Sequence, residues 1–359
     1  MSTPPATKRD RIRDRRIEQI EPLDRPSELF AELPLPPAGA ELVIRSREEI
    51  TSILNRTDDR LLAVVGPCSV HDVAAAEDYA SRLAQKAREI EGDVLVAMRV
   101  YFEKPRTTTG WKGMINDPHL DDSGDVNTGL RKARGLLVSV LEHGLPVGCE
   151  FLDPIIPQYI SDAVSWGAIG ARTTESQIHR QLGSGLSMPV GFKNGTDGNV
   201  QIAVDAVRAA AASHAFTGID PTGTPAILRT AGNSDGHVIL RGGRSSYNYD
   251  SRGVADALAH LDKAALPERV IVDASHDNSD KDPARQRVVA SDIAEQIAGG
   301  NRAIVGVMLE SFIVAGRQDL GSGELVYGQS ITDACMDWGT SSGALDELAQ
   351  AVRARRADR

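Results

Sequence analysis

The sequence predicts an α/β protein, a (β/α)8 TIM barrel with an N-terminal extension and an inserted β-hairpin. Two observations lead to this prediction. Between about residues 60 and 356, short apolar runs rich in β-branched residues alternate with alanine-rich segments of helical period, as in parallel βαβ units. The 359 residues also include 33 glycines but only 4% aromatic residues, which suits many turns around an aliphatic core.

The apolar runs number about eight, the number of strands that closes such a barrel. An open, doubly wound parallel sheet is the alternative. No GxGxxG or GxxxxGK[ST] loop follows an early strand, so the usual dinucleotide and P-loop signatures are missing. We expect the strands at residues 61–65, 94–100, 147–152, 168–172, 190–193, 237–240, 270–273 and 304–309.

The segments between these strands are long enough to form the helical crossovers that parallel strands require. We expect helices at residues 73–90, 127–143, 200–212, 252–264 and 283–298, and a last one at 343–355.

Two segments interrupt this repeat. Residues 1–45 are rich in Arg, Glu and Pro, and we expect an arm that lies on a neighbouring subunit or is partly disordered. Residues 46–359 then form the barrel domain. Within it, two apolar runs flank a Pro/Gly turn at 220–225 and predict an inserted hairpin at about residues 214–236.

Charge and composition exclude several classes of protein. The net charge of −10 argues against a nucleic-acid-binding surface. The sequence has no apolar run of membrane-spanning length and no export signal. Cys68, Cys149 and Cys335 show no CxxC spacing, so neither a disulfide framework nor a zinc ribbon is indicated, and a reducing cytoplasm fits best.

Chemically active residues stand where the predicted strands end. In a barrel of this kind the reactive face lies at the C-terminal ends of the strands. Any one of these residues could be an ordinary solvated charge, but one per strand is a regular pattern. The residues are Cys68, Arg99, Glu150, Arg172, Lys193, Arg241, His276 and Glu310.

Part of this set could hold a divalent transition metal. Cys68, His276 and Glu310, together with Asp333 in the following loop, combine soft and hard ligand atoms, which suit Mn, Fe, Co or Zn better than Mg or Ca. The alternative for Cys68 is a small buried apolar side chain. Its position after Gly66-Pro67, at a strand end, favours the ligand interpretation.

The remaining strand ends are rich in cations. Guanidinium and ammonium groups bind phosphate and carboxylate oxygens, so their convergence in an acidic protein predicts an anionic substrate with more than one phosphate. The nearby glycine runs at 195–198 and 242–243 allow close approach of the backbone to a ligand, although each could be a plain turn. The cations are Arg99, Lys104, Arg106, Arg172, Lys193 and Arg241.

Several motifs together resemble those of the type I alpha 3-deoxy-D-arabino-heptulosonate 7-phosphate (DAHP) synthases. The similarity extends from about Asp14 to the C-terminus, and the motifs occur in the family's order. They are Gly66-Pro67-Cys68-Ser69, the run from Arg99 through Lys104-Pro105-Arg106-Thr107, Gly170-Ala171-Arg172-Thr173, the glycine-flanked runs at 191–198 and 240–243, and Ser330-Ile331-Thr332-Asp333.

This resemblance implies a metal-dependent transferase that condenses phosphoenolpyruvate with erythrose 4-phosphate, the entry to aromatic amino-acid biosynthesis. It implies the metal ligands Cys68, His276, Glu310 and Asp333. It implies a phosphoenolpyruvate site formed by Arg99, Lys104, Glu150, Ala171, Arg172, Lys193 and Arg241, and an erythrose 4-phosphate site formed by Lys104, Pro105, Arg106 and Thr107. We expect Lys104 to protonate or stabilise the developing alkoxide, and either the metal or a nearby carboxylate such as Glu150 to activate water.

The resemblance also implies an oligomer, a homodimer or homotetramer, and an inhibitor site for an aromatic amino acid. Gly218 stands where phenylalanine-sensitive relatives tend to have Ser, which leaves room for a larger or more polar ring and favours tyrosine. The turn at 220–224 departs from the family's usual Lys-Trp-Gly. The matching effector positions are Asp14, Ile17, Pro157, Gln158, Phe216, Gly218 and Leu228.

Three other functions compete with this one. The first is a related 3-deoxy-octulosonate 8-phosphate synthase, against which the Lys-Pro-Arg-Thr loop and the N-terminal arm argue. The second is a catalytically silent effector-binding paralogue, which would be expected to lack a metal ligand. The third is a generic metal aldolase, for which the cations are too numerous.

Overall fold

A computed structural model describes residues 13–106, 109–244, 246–321 and 323–357. The strands are β1 (Leu61–Gly66), β2 (Val94–Arg99), β3 (Val147–Glu150), β4 (Trp166–Ile169), β5 (Val190–Lys193), β6 (Ala215–Ile219), β7 (Pro225–Arg229), β8 (His237–Leu240), β9 (Val270–Asp273) and β10 (Ile304–Glu310). The α-helices are α1 (Pro26–Glu32), α2 (Pro37–Leu54), α3 (Val73–Glu89), α4 (Val126–Glu142), α5 (Pro157–Ile160), α6 (Gln177–Gly185), α7 (Gln201–Ala210), α8 (Ser251–Lys263), α9 (Pro283–Ala298) and α10 (Trp338–Ala357).

A closed parallel barrel forms the centre of the molecule and confirms the predicted fold. Around the ring the strands follow the order β1, β10, β9, β8, β5, β4, β3, β2. β1 pairs with both β2 and β10, which closes the ring and makes the open-sheet alternative wrong. The barrel strands are buried almost throughout, because helices cover their outer face and side chains fill the interior.

Aspartates fix the start of four of the surrounding helices. Each N-cap carboxylate accepts a hydrogen bond from a backbone N–H of the first turn, which satisfies a donor that has no partner within the helix. The N-caps are Asp72 for α3, Asp125 for α4, Asp250 for α8 and Asp282 for α9. No helix in the described ranges has both the length and the apolar character needed to span a membrane.

Helix α2 closes the N-terminal end of the barrel. Ile50, Ile53 and Leu54 are buried in one cluster with inward-facing strand residues such as Trp166. Ser46 Oγ lies 2.7 Å from Ser165 Oγ and ties the helix to the segment before β4. Because α2 runs through residue 45, the predicted arm is continuous with a helix of the barrel, and the division of the chain at 45 stays a prediction.

The inserted hairpin consists of β6 and β7, paired antiparallel with Phe216 opposite Leu228. Its turn touches the N-terminal segment of the same chain, where Ser27 N donates to Pro221 O at 2.9 Å. Close by, the Tyr159 hydroxyl of α5 donates to Asp24 O at 2.6 Å. Residues 24–27 therefore connect the hairpin to α5.

β4 departs most from its predicted position, while β1, β2, β3 and β10 differ from theirs by one or two residues at the C-terminal end. β4 begins at Trp166 and ends at Ile169, whereas we expected 168–172. The backbone N–H groups of Thr173 and Thr174 both donate to Gly170 O, at 3.0 Å each, so the chain turns immediately after the strand. This turn brings Ala171 and Arg172 over the mouth of the barrel.

Candidate active site

A cleft of about 240 Å³ opens at the C-terminal mouth of the barrel. Its walls come from the loops after β2, β3, β4, β5, β8, β9 and β10, as expected of this fold. The lining residues are Lys104, Pro105, Arg106, Thr109, Glu150, Gly170, Ala171, Arg172, Lys193, Thr196, Arg241, His276, Lys281 and Asp333.

Three potential metal ligands meet at one side of this mouth. The ligand atoms of Cys68, Glu310 and Asp333 all lie within 4.8 Å of one another. His276 approaches from the neighbouring loop, with Nε2 3.7 Å from Glu310 Oε1. Since β1, β10 and β9 are adjacent in the ring, strand order alone places these donors side by side.

The backbone around these donors is held at two points. Gly66 permits the close approach of β1 to β2, because a Cβ atom there would lie 2.5 Å from Arg99 O. From α9, the buried Gln286 amide brackets the backbone of Glu310. Its Nε2 donates to Glu310 O at 3.0 Å, and its Oε1 accepts from Glu310 N at 2.6 Å.

Lys104 lies directly above the cysteine. Its Nζ is 3.0 Å from Cys68 Sγ and 3.2 Å from Cys68 O. Burial, together with the Glu310 charge, raises the pKa of the Cys68 thiol to about 11 against the opposing effect of Lys104. Burial also raises the pKa of Asp333, but Lys104 and His276 outweigh it and hold that pKa below its ordinary value.

His276 is fixed by a buried carboxylate beneath it. Its Nδ1 lies 2.9 Å from Asp273 Oδ2 and 2.8 Å from the Ser275 hydroxyl, while its Nε2 faces Glu310. Lys193 Nζ lies 3.0 Å from the same Asp273 oxygen. The His276 backbone adopts a left-handed conformation with φ of 56°, an uncommon geometry for a non-glycine residue that is often found at functional sites.

Two arginines combine an ion pair with an unpaired buried donor. Arg99 Nη2 donates to Glu310 Oε1 at 2.9 Å, and the guanidinium stacks 3.8 Å from the centre of the Tyr101 ring. Arg241 pairs with Asp277. Among the described residues, Arg99 Nη1 and Arg241 Nε are buried and have no hydrogen-bond partner, which leaves each with an unused donor near the cleft.

Arg99 itself is fully buried beneath the cleft and is not one of the residues that line it. The other predicted phosphoenolpyruvate residues, Lys104, Glu150, Ala171, Arg172, Lys193 and Arg241, do line it. Pro105 and Arg106 stand at its edge, and Thr107 lies outside the described residues.

The cleft also contains residues that the sequence did not predict, namely Thr109, Gly170, Thr196 and Lys281. Lys281 Nζ lies 3.8 Å from Asp333 Oδ1. Two successive left-handed residues, Asp280 and Lys281, direct this side chain, and Lys281 N donates to His276 O at 2.8 Å. The only feature of the sequence that could have pointed to Lys281 is that it follows His276 closely along the chain.

The predicted effector positions lie elsewhere on the molecule. Phe216, Gly218 and Leu228 share the partly buried face of the hairpin. Pro157 and Gln158 begin α5, while Asp14 and Ile17 are exposed in the N-terminal segment. The link through residues 24–27 connects the hairpin and α5.

The donor set fits a divalent transition metal. One thiol and two carboxylates lie within 4.8 Å of one another, and the His276 imidazole lies 3.7 Å from one of these carboxylates. The buried Asp273 carboxylate lies beside the imidazole, an arrangement typical of metal-binding histidines.

The chain is similar to known proteins over nearly its whole length. A sequence profile of the DAHP synthetase I family matches residues 41–346. The chain is 53% identical to the Phe-sensitive phospho-2-dehydro-3-deoxyheptonate aldolase of Escherichia coli strain K12, covering 96% of this chain and 98% of that protein. It is 49% identical to the tyrosine-inhibited form of Schizosaccharomyces pombe, covering 97% and 95% respectively.

A solved structure agrees with these sequence matches. Phospho-2-dehydro-3-deoxyheptonate aldolase from Francisella tularensis SCHU S4 superimposes with a TM-score of 0.93 at 50% identity, covering 95% of this chain and 99% of that one. Together with the barrel and the residues at its mouth, these similarities show that the chain belongs to the DAHP synthetase I family.

Proposed function

We propose that this protein condenses phosphoenolpyruvate with D-erythrose 4-phosphate and water to give DAHP and inorganic phosphate. One observation carries the proposal: a cleft lined by cationic side chains adjoins a compact set of metal donors. Two phosphorylated substrates require the cationic half of this site, and the carbonyl group to be activated requires the half that carries the metal donors.

The ring order of the strands separates the two halves. Loops after β4, β5 and β8 contribute Arg172, Lys193 and Arg241, whereas β1, β9 and β10 carry the metal donors. In the proposal, Arg172, Arg241 and the backbone N–H of Ala171 bind the phosphate of phosphoenolpyruvate. The unpaired nitrogen of Arg99 supports a further contact to this anion from below.

The second substrate binds along the loop after β2. Pro105 and Arg106 line the cleft beside Lys104, and the loop is braced where Lys104 N donates to Lys112 O at 2.8 Å. We assign the phosphate of erythrose 4-phosphate to Arg106 and Thr107. This assignment leaves the aldehyde end of the sugar near Lys104.

The reaction then needs two chemical steps. C3 of phosphoenolpyruvate attacks the aldehyde carbon, a C–C bond forms, and Lys104 donates a proton to the new alkoxide. Water adds at C2 while Glu150 accepts one of its protons, and the C2–O bond to phosphate breaks to release inorganic phosphate. The balance is one molecule of each substrate and one of water.

Cys68, His276, Glu310 and Asp333 would hold a divalent ion, for which the mixed donors favour Mn²⁺, Fe²⁺, Co²⁺ or Zn²⁺. When bound, this ion supplies Lewis-acid polarisation of the carbonyl group.

We assign feedback regulation to the hairpin, α5 and the N-terminal arm. Relatives named for sensitivity to phenylalanine and to tyrosine have similar identity to this chain, so identity does not select the effector. We assign tyrosine as the effector because Gly218 lacks the serine hydroxyl, and the Leu228 side chain that packs against this glycine would move to admit the larger ring. The exposed Asp14 and Ile17 would reach a partner subunit in a homodimer or homotetramer, and the free cysteines fit the cytoplasm.

The deciding experiment measures phosphate release from phosphoenolpyruvate. Chelator-treated protein is reloaded with Mn²⁺ and supplied with erythrose 4-phosphate or arabinose 5-phosphate. We expect release with the four-carbon sugar alone. Release with the five-carbon sugar would instead indicate an octulosonate synthase, and no release with either would indicate a silent effector-binding paralogue.

A further inference from the structure

Asp273 joins the two halves of the cleft beneath its surface. The side chain is completely buried at the end of β9. Its Oδ2 lies 3.0 Å from Lys193 Nζ and 2.9 Å from His276 Nδ1. One oxygen atom therefore contacts both a cation of the substrate half and an imidazole of the metal half.

The other oxygen of the same carboxylate fixes its orientation. Asp273 Oδ1 accepts from the Ser275 hydroxyl at 2.5 Å and from the Ser275 backbone N–H at 3.0 Å. The backbone carbonyl of Asp273 accepts from Asn278 Nδ2 at 2.9 Å. The carboxylate cannot rotate without losing several of these contacts at once.

The charges explain why so buried a carboxylate is stable. The Lys193 ammonium lies 3.0 Å from Asp273 Oδ2, and the Ser275 hydroxyl and backbone N–H both donate to Oδ1. A buried charge is tolerated when an opposite charge beside it offsets the cost of its desolvation. The arrangement is a chain of three groups, Lys193, Asp273 and His276.

We propose that Asp273 is a positioning residue that couples Lys193 to the metal-binding imidazole of His276. The inference rests on the proposed function, in which His276 binds the metal and Lys193 binds phosphoenolpyruvate. Lys193 draws part of the carboxylate's negative charge toward itself. Without Lys193, that charge acts fully on the His276 ring and makes Nε2 a stronger donor.

The proposal gives opposite signs for two substitutions. Asp273→Asn removes the charge behind the imidazole, and we expect the affinity for Co²⁺ to fall about 10-fold to 100-fold. Lys193→Met leaves the carboxylate to His276 alone, and we expect Co²⁺ to bind about threefold more tightly or better. In the Asp273→Asn background, Lys193→Met should then change the affinity by less than about twofold.

The measurement is calorimetric titration of chelator-treated protein with Co²⁺, without substrates, so turnover plays no part. Asp93→Asn is the matched control. Asp93 is also a buried aspartate, but it pairs with Arg353 and Arg356 at 2.6 Å each, outside the cleft. This variant should bind Co²⁺ like the wild type. Circular dichroism verifies that each variant is folded.

Ser275→Ala keeps the proposal testable if Asp273→Asn does not fold. It removes the hydroxyl that donates to Asp273 Oδ1 and lies 2.8 Å from His276 Nδ1, and Co²⁺ should bind about threefold more weakly or worse. Unchanged affinity in this variant, or unchanged or weaker binding in Lys193→Met, would overturn the coupling.

Two further results separate this inference from the proposed function. If Lys193→Met changes the Co²⁺ affinity equally with and without Asp273, Lys193 acts only by repelling the metal ion. That result would overturn the coupling but not the proposed function. A wild-type protein that binds no Co²⁺ would overturn the metal assignment itself and the coupling with it.

Discussion

The Glu150 carboxylate occupies the space that any side chain at position 170 would need. A Cβ atom on Gly170 would lie 2.2 Å from Glu150 Oε1. Gly170 directly follows β4, and Glu150 ends the neighbouring β3. The glycine at 170 therefore makes room for the proposed general base.

Gly170→Ala should displace Glu150 without unfolding the barrel. Gly170 is not among the residues with positive φ, so alanine fits its backbone, and the atom it meets is the mobile end of a side chain. We expect kcat to fall about 100-fold, the lower range for loss of general base catalysis, with Tm unchanged. Steady-state assays should find a similar loss in Glu150→Gln. If kcat of the double variant falls by the product of the two single losses, Gly170→Ala does not act through Glu150.

Cys68→Ala should abolish metal binding while the barrel stays folded. The substitution removes the only sulfur of the proposed donor set. Calorimetric titration should show Co²⁺ affinity lowered at least about 100-fold. Cys149→Ala is the control, because this cysteine is equally buried but its Sγ contacts Val100 O at 3.0 Å. Equal Co²⁺ affinity in both variants would remove Cys68 from the ligand set.

Replacing each of two glycines of α4 by alanine should change the stability of the protein in opposite directions. A Cβ on Gly129 would lie 2.1 Å from the backbone oxygen of Ile115, whereas one on Gly135 would meet nothing within 4 Å. We expect Gly129→Ala to lower the free energy of unfolding by about 2 kcal/mol or more, because helix and loop must separate. Gly135→Ala should raise it by about 0.5 to 1 kcal/mol. Urea unfolding compares the two, and a stable Gly129→Ala would refute the packing.

His237 should make the protein sensitive to acid. Its Nε2 accepts from Trp166 Nε1 at 3.1 Å and its Nδ1 lies 3.0 Å from Asp235 O, which leaves no place for a second proton. Burial lowers the pKa of His237 to about 3. The unfolded chain gains this proton below about pH 6.5, whereas the folded protein does not, so stability is lost as the pH falls through this range.

His237→Gln keeps an acceptor for Trp166 but cannot gain the proton. Between pH 6 and pH 4, urea unfolding of this variant should lose up to about 1.4 kcal/mol less stability per pH unit than the wild type. His143→Gln, at an exposed position, is the control and should follow the wild type. Parallel pH curves for all three proteins would contradict the role of His237.

Gly218 should influence which aromatic amino acid binds. A Cβ here would lie 2.6 Å from Leu228 Cδ1. In Gly218→Ser the flexible Leu228 side chain must therefore move, and the new serine side chain takes up space on the hairpin face. We expect a larger rise in Tm with tyrosine than with phenylalanine for the wild type, and the reverse for Gly218→Ser. Thr217→Ser, on the exposed face, should retain the wild-type order. No shift with any aromatic amino acid would count against a working effector site.

Much of the barrel could be predicted because its strands are short apolar runs that end at charged or turn residues. β5, β8 and β9 have the predicted bounds. β4 does not, because the turn at Gly170 depends on hydrogen bonds that hydrophobicity does not encode. α2 was missed because the Arg, Glu and Pro content of residues 1–45 suggested an arm, although proline is well tolerated in the first turn of a helix.

The candidate site followed the same division. Residues that end strands, such as Glu150, Lys193 and Glu310, could be found from the pattern alone. Lys281 could not, because two left-handed residues direct it into the cleft. Asp273 resembled an ordinary strand end in the sequence. Its role depends on the contacts of a single oxygen atom with both Lys193 and His276, which only the structure reveals.

The pairing of the first barrel strand with the last has a consequence for synthesis. Gly66 lies opposite Glu310, and 265 residues separate the contacting side chains of Cys68 and Asp333. On the ribosome, Arg172 and Arg241 emerge long before the final ligand does. Nearly the whole chain must leave the exit tunnel before the proposed metal site can be complete, so we expect metal loading to follow translation and closure of the barrel.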